Sequence, residues 1–384
     1  MAKRVIITGA TGFIGRALSK RLVASGYQVV GLSRDLERGR RILGEKITIL
    51  EWDGQSAEGW GRQADGAYGV INLAGESIAS GRWTEKKKQR IVRSRLDAGR
   101  AVSDAIAGAK SKPGVVIQSS GIGYYGSRGD EMVDESSPAG EGFLPDLAKE
   151  WEGSTKGVEA LGVRQVTIRT GIVLGKDGGA LPRLLTPFRF FIGGQLGSGR
   201  QAFPWIHVAD QVEAICFLLE NEKLRGAFNL AAPEQISMKQ FCRTLGRVVG
   251  RPCWLHVPGF VLRLLYGQMA DEALLSGQKR RAAEAAGGRV QIPLSRRGRC
   301  SSPHSGLERP NRFEYLTQNP PCLSDLQRLS LQSCSGSAYS NTPVLRALLE
   351  GEHSSLRSRK TRFPLPFMQQ IVPSASEGTE REWH

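Results

Sequence analysis

The sequence predicts an α/β protein built on a doubly wound parallel sheet, with a small mixed C-terminal lobe and a largely disordered tail. Three observations carry that reading. Short apolar runs alternate with helix-period patterns from residue 5 to Lys279. A turn with three spaced glycines joins the first apolar run to the first helical pattern. After Lys279 the alternation stops and the composition changes.

Taken in order, Val5, Ile6 and Ile7 suit a strand buried on both faces of a parallel sheet. Thr8-Gly9-Ala10-Thr11-Gly12-Phe13-Ile14-Gly15 follows. Gly9 permits the tight turn, Gly12 lets backbone approach a pyrophosphate, and Gly15 lets the next helix pack closely. That helix carries Leu18 and Leu22 on one face and offers unpaired N–H groups at its start. A second strand spans Tyr27 to Leu32. This strand–turn–helix–strand order is a dinucleotide-binding, Rossmann-type beginning.

The end of the second strand indicates which dinucleotide. An Asp or Glu there usually takes the ribose 2′-OH of NAD. This chain has Leu32-Ser33-Arg34, with Arg38, Arg40 and Arg41 close behind and Asp35 as the nearest acid. A hydroxyl beside a guanidinium suits a 2′-phosphate, so NADP is the expected cofactor.

Ile47–Leu50 reads as a third strand and 69–75 as a fourth, ending in small residues where a cofactor could pass. Residues 84–108 form a long helix with a very basic first half. Gly114–Ser119 and Val163–Thr170 are strands five and six. Asp210 is expected to cap a helix reaching about Asn221, with His207 before it as a satisfied or exposed histidine rather than a catalytic one.

Composition limits the partners. The net charge of +16 divides into +10 for residues 1–279 and +6 for 280–384. The tail holds fourteen Arg and one Lys, against twenty-four Arg and fourteen Lys before it. Its charges are scattered and its aromatics few, so no nucleic-acid module is expected. The six cysteines show neither C-x-x-C pairs nor zinc spacing, so no metal is expected. No segment has the length of apolar sequence that spans a bilayer, and the start reads as a strand rather than a leader. A cytoplasmic protein with no membrane partner follows; the oligomeric state is left open.

Nine short segments in register resemble one group: the glycine turn, Asn72-Leu73-Ala74-Gly75-Glu76, Ser94-Arg95, Ser119-Ser120-Gly121, Tyr124-Tyr125-Gly126, Asp134-Glu135-Ser136, Trp151-Glu152, Arg169 to Gly175 and Phe203-Pro204-Trp205-Ile206-His207. The chain is similar here, over residues 3–279, to the atypical extended short-chain dehydrogenase/reductases called the epimerase family. That resemblance implies an NAD(P)-binding epimerase/dehydratase domain over 1–235. It implies a truncated small C-terminal substrate domain over 236–279, followed by the tail, 280–384. It also implies that Thr8, Gly9, Thr11, Gly12, Phe13, Ile14 and Gly15 hold the pyrophosphate, and that Ser33 and Arg34 hold the 2′-phosphate. Leu73, Ala74, Gly75 and Val173 would line the cofactor, and Arg95 would reach it from the long helix. An acid in relatives is replaced by Arg90 here.

Reductases of this kind pair a Ser with Tyr-x-x-x-Lys, whose Lys lowers the Tyr pKa while hydride moves at the nicotinamide. Ser119 or Ser120 suits the Ser place and Lys149 the Lys place, but Pro145 stands where the Tyr belongs. Tyr124 or Tyr125 could replace it, or could pack a substrate loop. Two functions therefore stand: an oxidoreductase or epimerase acting on a small carbonyl compound or nucleotide sugar, and a non-catalytic NADPH sensor or scaffold, with cell division as one setting.

The tail has its own explanation. The resemblance leads one to expect Val-x-Pro-x-Arg-Leu-Leu-x-Ala-Gly-Phe-x-Phe-x-Tyr-Pro after Lys279. Residues 280–296, written as degenerate codons and read one base later, permit Val-Val-Pro-Arg-Arg-Leu-Leu-Glu-Ala-Gly-Phe-Lys-Phe-Arg-Tyr-Pro. The expectation is a frameshifted tail without a consistent hydrophobic period, leaving apolar surface uncovered near residues 255–275.

Overall fold

The apolar runs become strands β1 (Arg4–Thr8), β2 (Gln28–Ser33), β3 (Thr48–Glu51), β4 (Gly69–Asn72), β5 (Val115–Gly121), β6 (Arg164–Thr170) and β7 (Gly226–Leu230). The computed structural model describes residues 3–280. The tail beyond Arg280, and with it the expectation of disorder there, lies outside the described residues. Hydrogen bonds order the sheet β7-β6-β5-β4-β1-β2-β3, every pair parallel. β7 has no counterpart in the sequence reading.

The helices are α1 (Phe13–Ala24), α2 (Leu36–Leu43), α3 (Glu85–Gly108), α4 (Phe143–Gly153), α5 (Leu181–Arg189), α6 (Val208–Glu220), α7 (Met238–Val249) and α8 (Gly259–Tyr266). Alternate strand residues feed the two faces. Val5, Ile7, Val29, Ile71 and Ile117 pack with Leu18 and Leu22 of α1 and with Ile215 and Leu219 of α6. Ile6, Val30, Leu32, Val70 and Val116 pack with Ala98, Val102 and Ile106 of α3. Winding reverses between β1 and β4, whose C-terminal ends meet where Thr8 lies opposite Asn72. That reversal opens a crevice at the carboxyl edge of the sheet, where doubly wound folds bind ligands.

The smaller lobe draws on two stretches of chain. Leu174, Leu181, Leu185, Phe188, Phe203 and Trp205 share a core with Met238, Phe241, Leu245 and Val249, so it takes in residues well before 236. A parallel pair, Gly194–Leu196 with Leu255–Val257, closes it. Its last segment returns to the main lobe: Gln278 Nε2 donates to the Gly126 carbonyl at 2.7 Å, and Lys279–Arg280 pairs with Met132–Val133. On α8, Phe260, Leu264 and Leu265 face outward, as the sequence reading expects for this region.

Two helix starts depart from simple local capping. α6 is capped by His207, whose Nδ1 accepts the Ala209 N–H at 3.4 Å, while Asp210 lies inside the first turn and is not the cap. α4 follows Gly142 (φ 118°) with no side-chain cap of its own. Glu272 of the small lobe supplies one, accepting the Phe143 and Leu144 N–H groups at 3.2 and 2.8 Å. Gln268 Nε2 holds that carboxylate at 2.6 Å. Among the described residues no helix is long and apolar enough to cross a membrane.

Candidate functional site

The glycine turn is shaped by contacts that only glycine allows at two positions. Gly9 has φ +66°, and a Cβ there would lie 2.9 Å from the Leu73 carbonyl oxygen. A Cβ on Gly15 would lie 2.3 Å from the Gly9 oxygen, so α1 starts against the turn itself. Gly12 differs: a Cβ would meet only the Gly9 oxygen, at 3.1 Å, and would otherwise project into open space. Gly12 is also the N-cap of α1, with no side-chain cap and no acid in the first turn. The first N–H groups of α1 thus face the crevice with the positive end of the helix dipole behind them, an anion site in form.

The other cofactor candidates fall into distinct places. Thr8 is fully buried, and its hydroxyl donates to Asn72 Oδ1 at 2.6 Å while accepting the Leu73 and Ala74 N–H groups, both at 3.1 Å. It shapes the β4 exit from beneath rather than facing the crevice. Asn72 Nδ2 continues the chain to Gln118 Oε1 at 2.9 Å, stitching β1 to β4 and β5. Thr11 and Ile14 are half-buried at the turn. The Phe13 ring packs on the hairpin at 172–179, where Cβ atoms at Gly175 and Gly178 would come within 2.6 and 2.4 Å of it. Val173 lies half-buried in that same hairpin.

At the end of β2, Ser33 is buried and its Oγ donates to the Asp35 carbonyl at 2.8 Å. Asp35 caps α2, accepting the Arg38 N–H at 2.9 Å, which commits the nearest carboxylate to the helix. Arg34 is exposed and makes no ion pair among the described residues. Arg95, on α3, is 7 % exposed. Its Nη1 donates to the Glu76 and Ile91 carbonyls at 3.0 Å each, its guanidinium stacks on Trp151, and its Nε has no partner. Burial pulls its pKa down to about 10. A Cβ on Gly75 would lie 3.1 Å from its Cζ, so Arg95 sits directly behind the loop leaving β4. Arg90 pairs instead with Glu76, at 3.4 Å.

Four hydroxyl candidates gather at the end of β5 and in the turn that follows, and hydrogen bonding separates them into two pairs. Ser120 Oγ donates to Glu152 Oε1 at 2.7 Å. Glu152 accepts Nε and Nη2 of Arg169, both at 2.9 Å. Arg169 Nη1 donates to the Tyr125 oxygen at 3.0 Å, and Tyr125 donates to Asn229 Oδ1 at 2.9 Å. Burial works against the Arg169 charge, but the Glu152 carboxylate outweighs it and holds the guanidinium above its ordinary range. Tyr125 is fully buried, and burial pushes its phenol up. Ser120 and Tyr125 are therefore committed to this network. Ser119 and Tyr124 make no side-chain hydrogen bond among the described residues, and the Tyr124 ring lies under Arg169, 3.5 Å from centroid to Cζ.

Lys149 does not join them. It lies on the outer face of α4, exposed and paired with Asp146 at 2.7 Å, which raises its pKa, with Tyr124 near enough for its charge to add to that. Pro145 is buried on the inward face and lines a cavity of about 330 Å³ with Gly123, Leu144, Arg263 and Glu272. Sequence reasoning missed Glu152 and Arg169 as a functional pair, although both stand within the recurring segments. It also missed Glu272, which no local pattern connects to α4. Among the described residues no cluster of His, Cys, Asp and Glu is arranged to hold a metal ion.

A reversed winding point, an uncapped helix start behind a glycine turn and an end of β2 whose following carboxylate, Asp35, is committed to α2 define a Rossmann-type dinucleotide-binding fold. Comparison narrows the class. Residues 5–144 match the model of the NAD dependent epimerase/dehydratase family. The chain is 40 % identical over 281 residues to the chloroplastic epimerase family protein SDR39U1 homolog of Arabidopsis thaliana, covering 72 % of this chain and 79 % of that one. It is 39 % identical to epimerase family protein YfhF of Bacillus subtilis, over 69 % and 86 % of the two chains. The crystal structure of human SDR39U1 (isoform 2) with NADPH superposes with a TM-score of 0.64 at 34 % identity, covering 72 % and 90 %. UDP-glucuronic acid 4-epimerase from Bacillus cereus, at 17 % identity and a TM-score of 0.58, shares the fold. This chain belongs to the epimerase family of extended short-chain dehydrogenase/reductases.

Proposed function

We propose that the protein binds NADP(H) across the β1/β4 crevice and acts as an oxidoreductase or epimerase on a small carbonyl compound or nucleotide sugar in the cytoplasm. The observation that carries the cofactor reading is the end of β2, where Asp35 is committed to α2 and Arg34 is free to pair. The residues fit the cofactor. The first turn of α1 would take the pyrophosphate and Arg34 the 2′-phosphate, with Ser33 joining once its hydroxyl turns from the Asp35 carbonyl, and Arg95 would bring a buried charge without an ion pair of its own behind Gly75. NADPH, when bound, supplies a hydride from its nicotinamide. Ser119 and Tyr124 are then the groups left to hold and protonate a carbonyl oxygen, because Ser120 and Tyr125 already serve the Glu152–Arg169 network.

The sensor or scaffold reading draws on two observations: Pro145 stands where a phenol would be, and Lys149 faces solvent. Hydride transfer from deuterated NADPH to a carbonyl library decides between them. Turnover that falls about a hundredfold or more in Tyr124→Phe, with NADPH affinity kept, supports the enzyme. Tight NADPH binding with no transfer to any carbonyl, in wild type and variant alike, supports the sensor.

A further inference from the structure

One surface of the small lobe stands outside everything the crevice explains. Three large apolar side chains follow one another at the end of α5: Phe190, Phe191 and Ile192, 70 %, 53 % and 48 % exposed. Trp254, from the turn after α7, joins them at 67 %. Such a run is what soluble surfaces avoid unless it meets a partner. The loop is also strained. Phe191, at φ 60°, is the one non-glycine residue with positive φ among the described residues. The surroundings hold that conformation, since Trp254 Nε1 donates to the Phe191 carbonyl at 2.9 Å and Arg251 stacks 4.4 Å over the Phe191 ring. A bulky residue kept in a costly backbone region, with half its surface exposed, is the kind of outlier that gathers at functional surfaces.

Charge and hydrogen bonding indicate the partner. No Asp or Glu occurs between Asp177 and Asp210 or between Glu234 and Asp271, the two stretches that build this lobe. They carry three Arg in the first and one Lys and four Arg in the second. Arg243 and Arg247 lie one turn apart on the exposed side of α7, which leads into Arg251 and Trp254. At the apex, the N–H groups of Phe190, Phe191 and Ile192 donate to the Pro187, Phe188 and Pro187 carbonyls. The Gly193 carbonyl accepts from Trp254 and Leu255. These N–H groups and the Phe191 and Gly193 carbonyls are paired within the lobe, which lowers the cost of seating the apex at a hydrocarbon boundary. We propose that this apex is a membrane-surface contact. Phe190, Phe191, Ile192 and Trp254 would seat at the interface of an anionic lipid bilayer while Arg243, Arg247 and Arg251 pair with headgroup phosphates. The chain docks on the surface and does not cross it.

The test is flotation of the full chain with phosphatidylcholine vesicles, with and without phosphatidylglycerol. All proteins compared keep the basic tail, so differences report on the apex. Phe190→Ser with Ile192→Ser changes exposed side chains alone, and Arg243→Glu with Arg247→Glu reverses exposed charges. The expected result is flotation with phosphatidylglycerol vesicles that weakens with salt and drops about tenfold in each double variant. Flotation equal in parent and variants would assign the binding to other charges and overturn the proposal, as would no flotation at all. A dimer in sedimentation that the Phe190/Ile192 variant disperses, without vesicle binding, would assign the apex to a second copy and overturn it equally.

Discussion

At the scale of single residues, the cofactor preference rests on where two neighbouring side chains point. Asp35 would repel a 2′-phosphate if it faced the crevice, but it is held by the Arg38 N–H. Arg34→Asp should therefore weaken NADPH by about a hundredfold or more while leaving NADH unchanged or improved, as read by calorimetry. A wild-type preference for NADH would contradict the assignment. Asp210 sets a different dependence. Burial raises its pKa to about 6 from the ordinary 3.8. The folded state thus holds its proton more tightly than the unfolded chain. The associated stability is fully present below about pH 4 and is lost as pH rises through 6. Its position in the first turn of α6 opposes that cost, because the helix dipole favours a charge there. Asp210→Asn should then be more stable at neutral pH by about 1–2 kcal/mol, and its melting temperature should be flatter between pH 4 and 7. A variant that melts in parallel with wild type across that window would show that Asp210 titrates normally.

At the scale of elements, two glycines of one turn should fail in opposite ways. Gly12→Val adds its side chain to open space above the turn, so the protein should fold yet lose NADPH binding. Gly15→Val drives its side chain into the Gly9–Ala10 backbone, so it should lower stability by several kcal/mol, on the order of overpacking at its most severe. Circular dichroism melts with and without NADPH separate the two; loss of folding in Gly12→Val would remove that position from the ligand site. This contrast also measures what the sequence could say. Spacing alone placed the turn, six of the seven strands and the long α3 helix, because period and glycine position are local facts. It did not place β7, whose few apolar residues carry weak periodicity. Nor could it turn Lys149 outward, since the four-residue spacing to Pro145 says nothing about the Asp146 that draws it away. The Glu152–Arg169 pair and the Glu272 cap join residues far apart in the chain, and no local pattern registers them.

For the whole molecule, the end of the described chain is the informative place. Lys279–Arg280 is still paired with Met132–Val133, whereas Phe260, Leu264 and Leu265 on the preceding helix have no cover among the described residues. We propose that their natural cover is the segment hidden one base out of frame after Lys279. Resequencing across codons 278–282 should reveal the shift. Restoring the frame should raise the melting temperature and suppress aggregation by covering the α8 face. An intact frame shared by close relatives would end that proposal. The Glu272 cap has a further consequence, in time rather than in space. Phe143 leaves the ribosome 129 residues before the carboxylate that completes its helix. At about 5–20 residues per second, that interval is on the order of ten seconds. For those seconds the nascent chain carries a helix start with bare amides beside a half-built sheet. The order of synthesis thus makes a late segment of the small lobe the part that finishes the first.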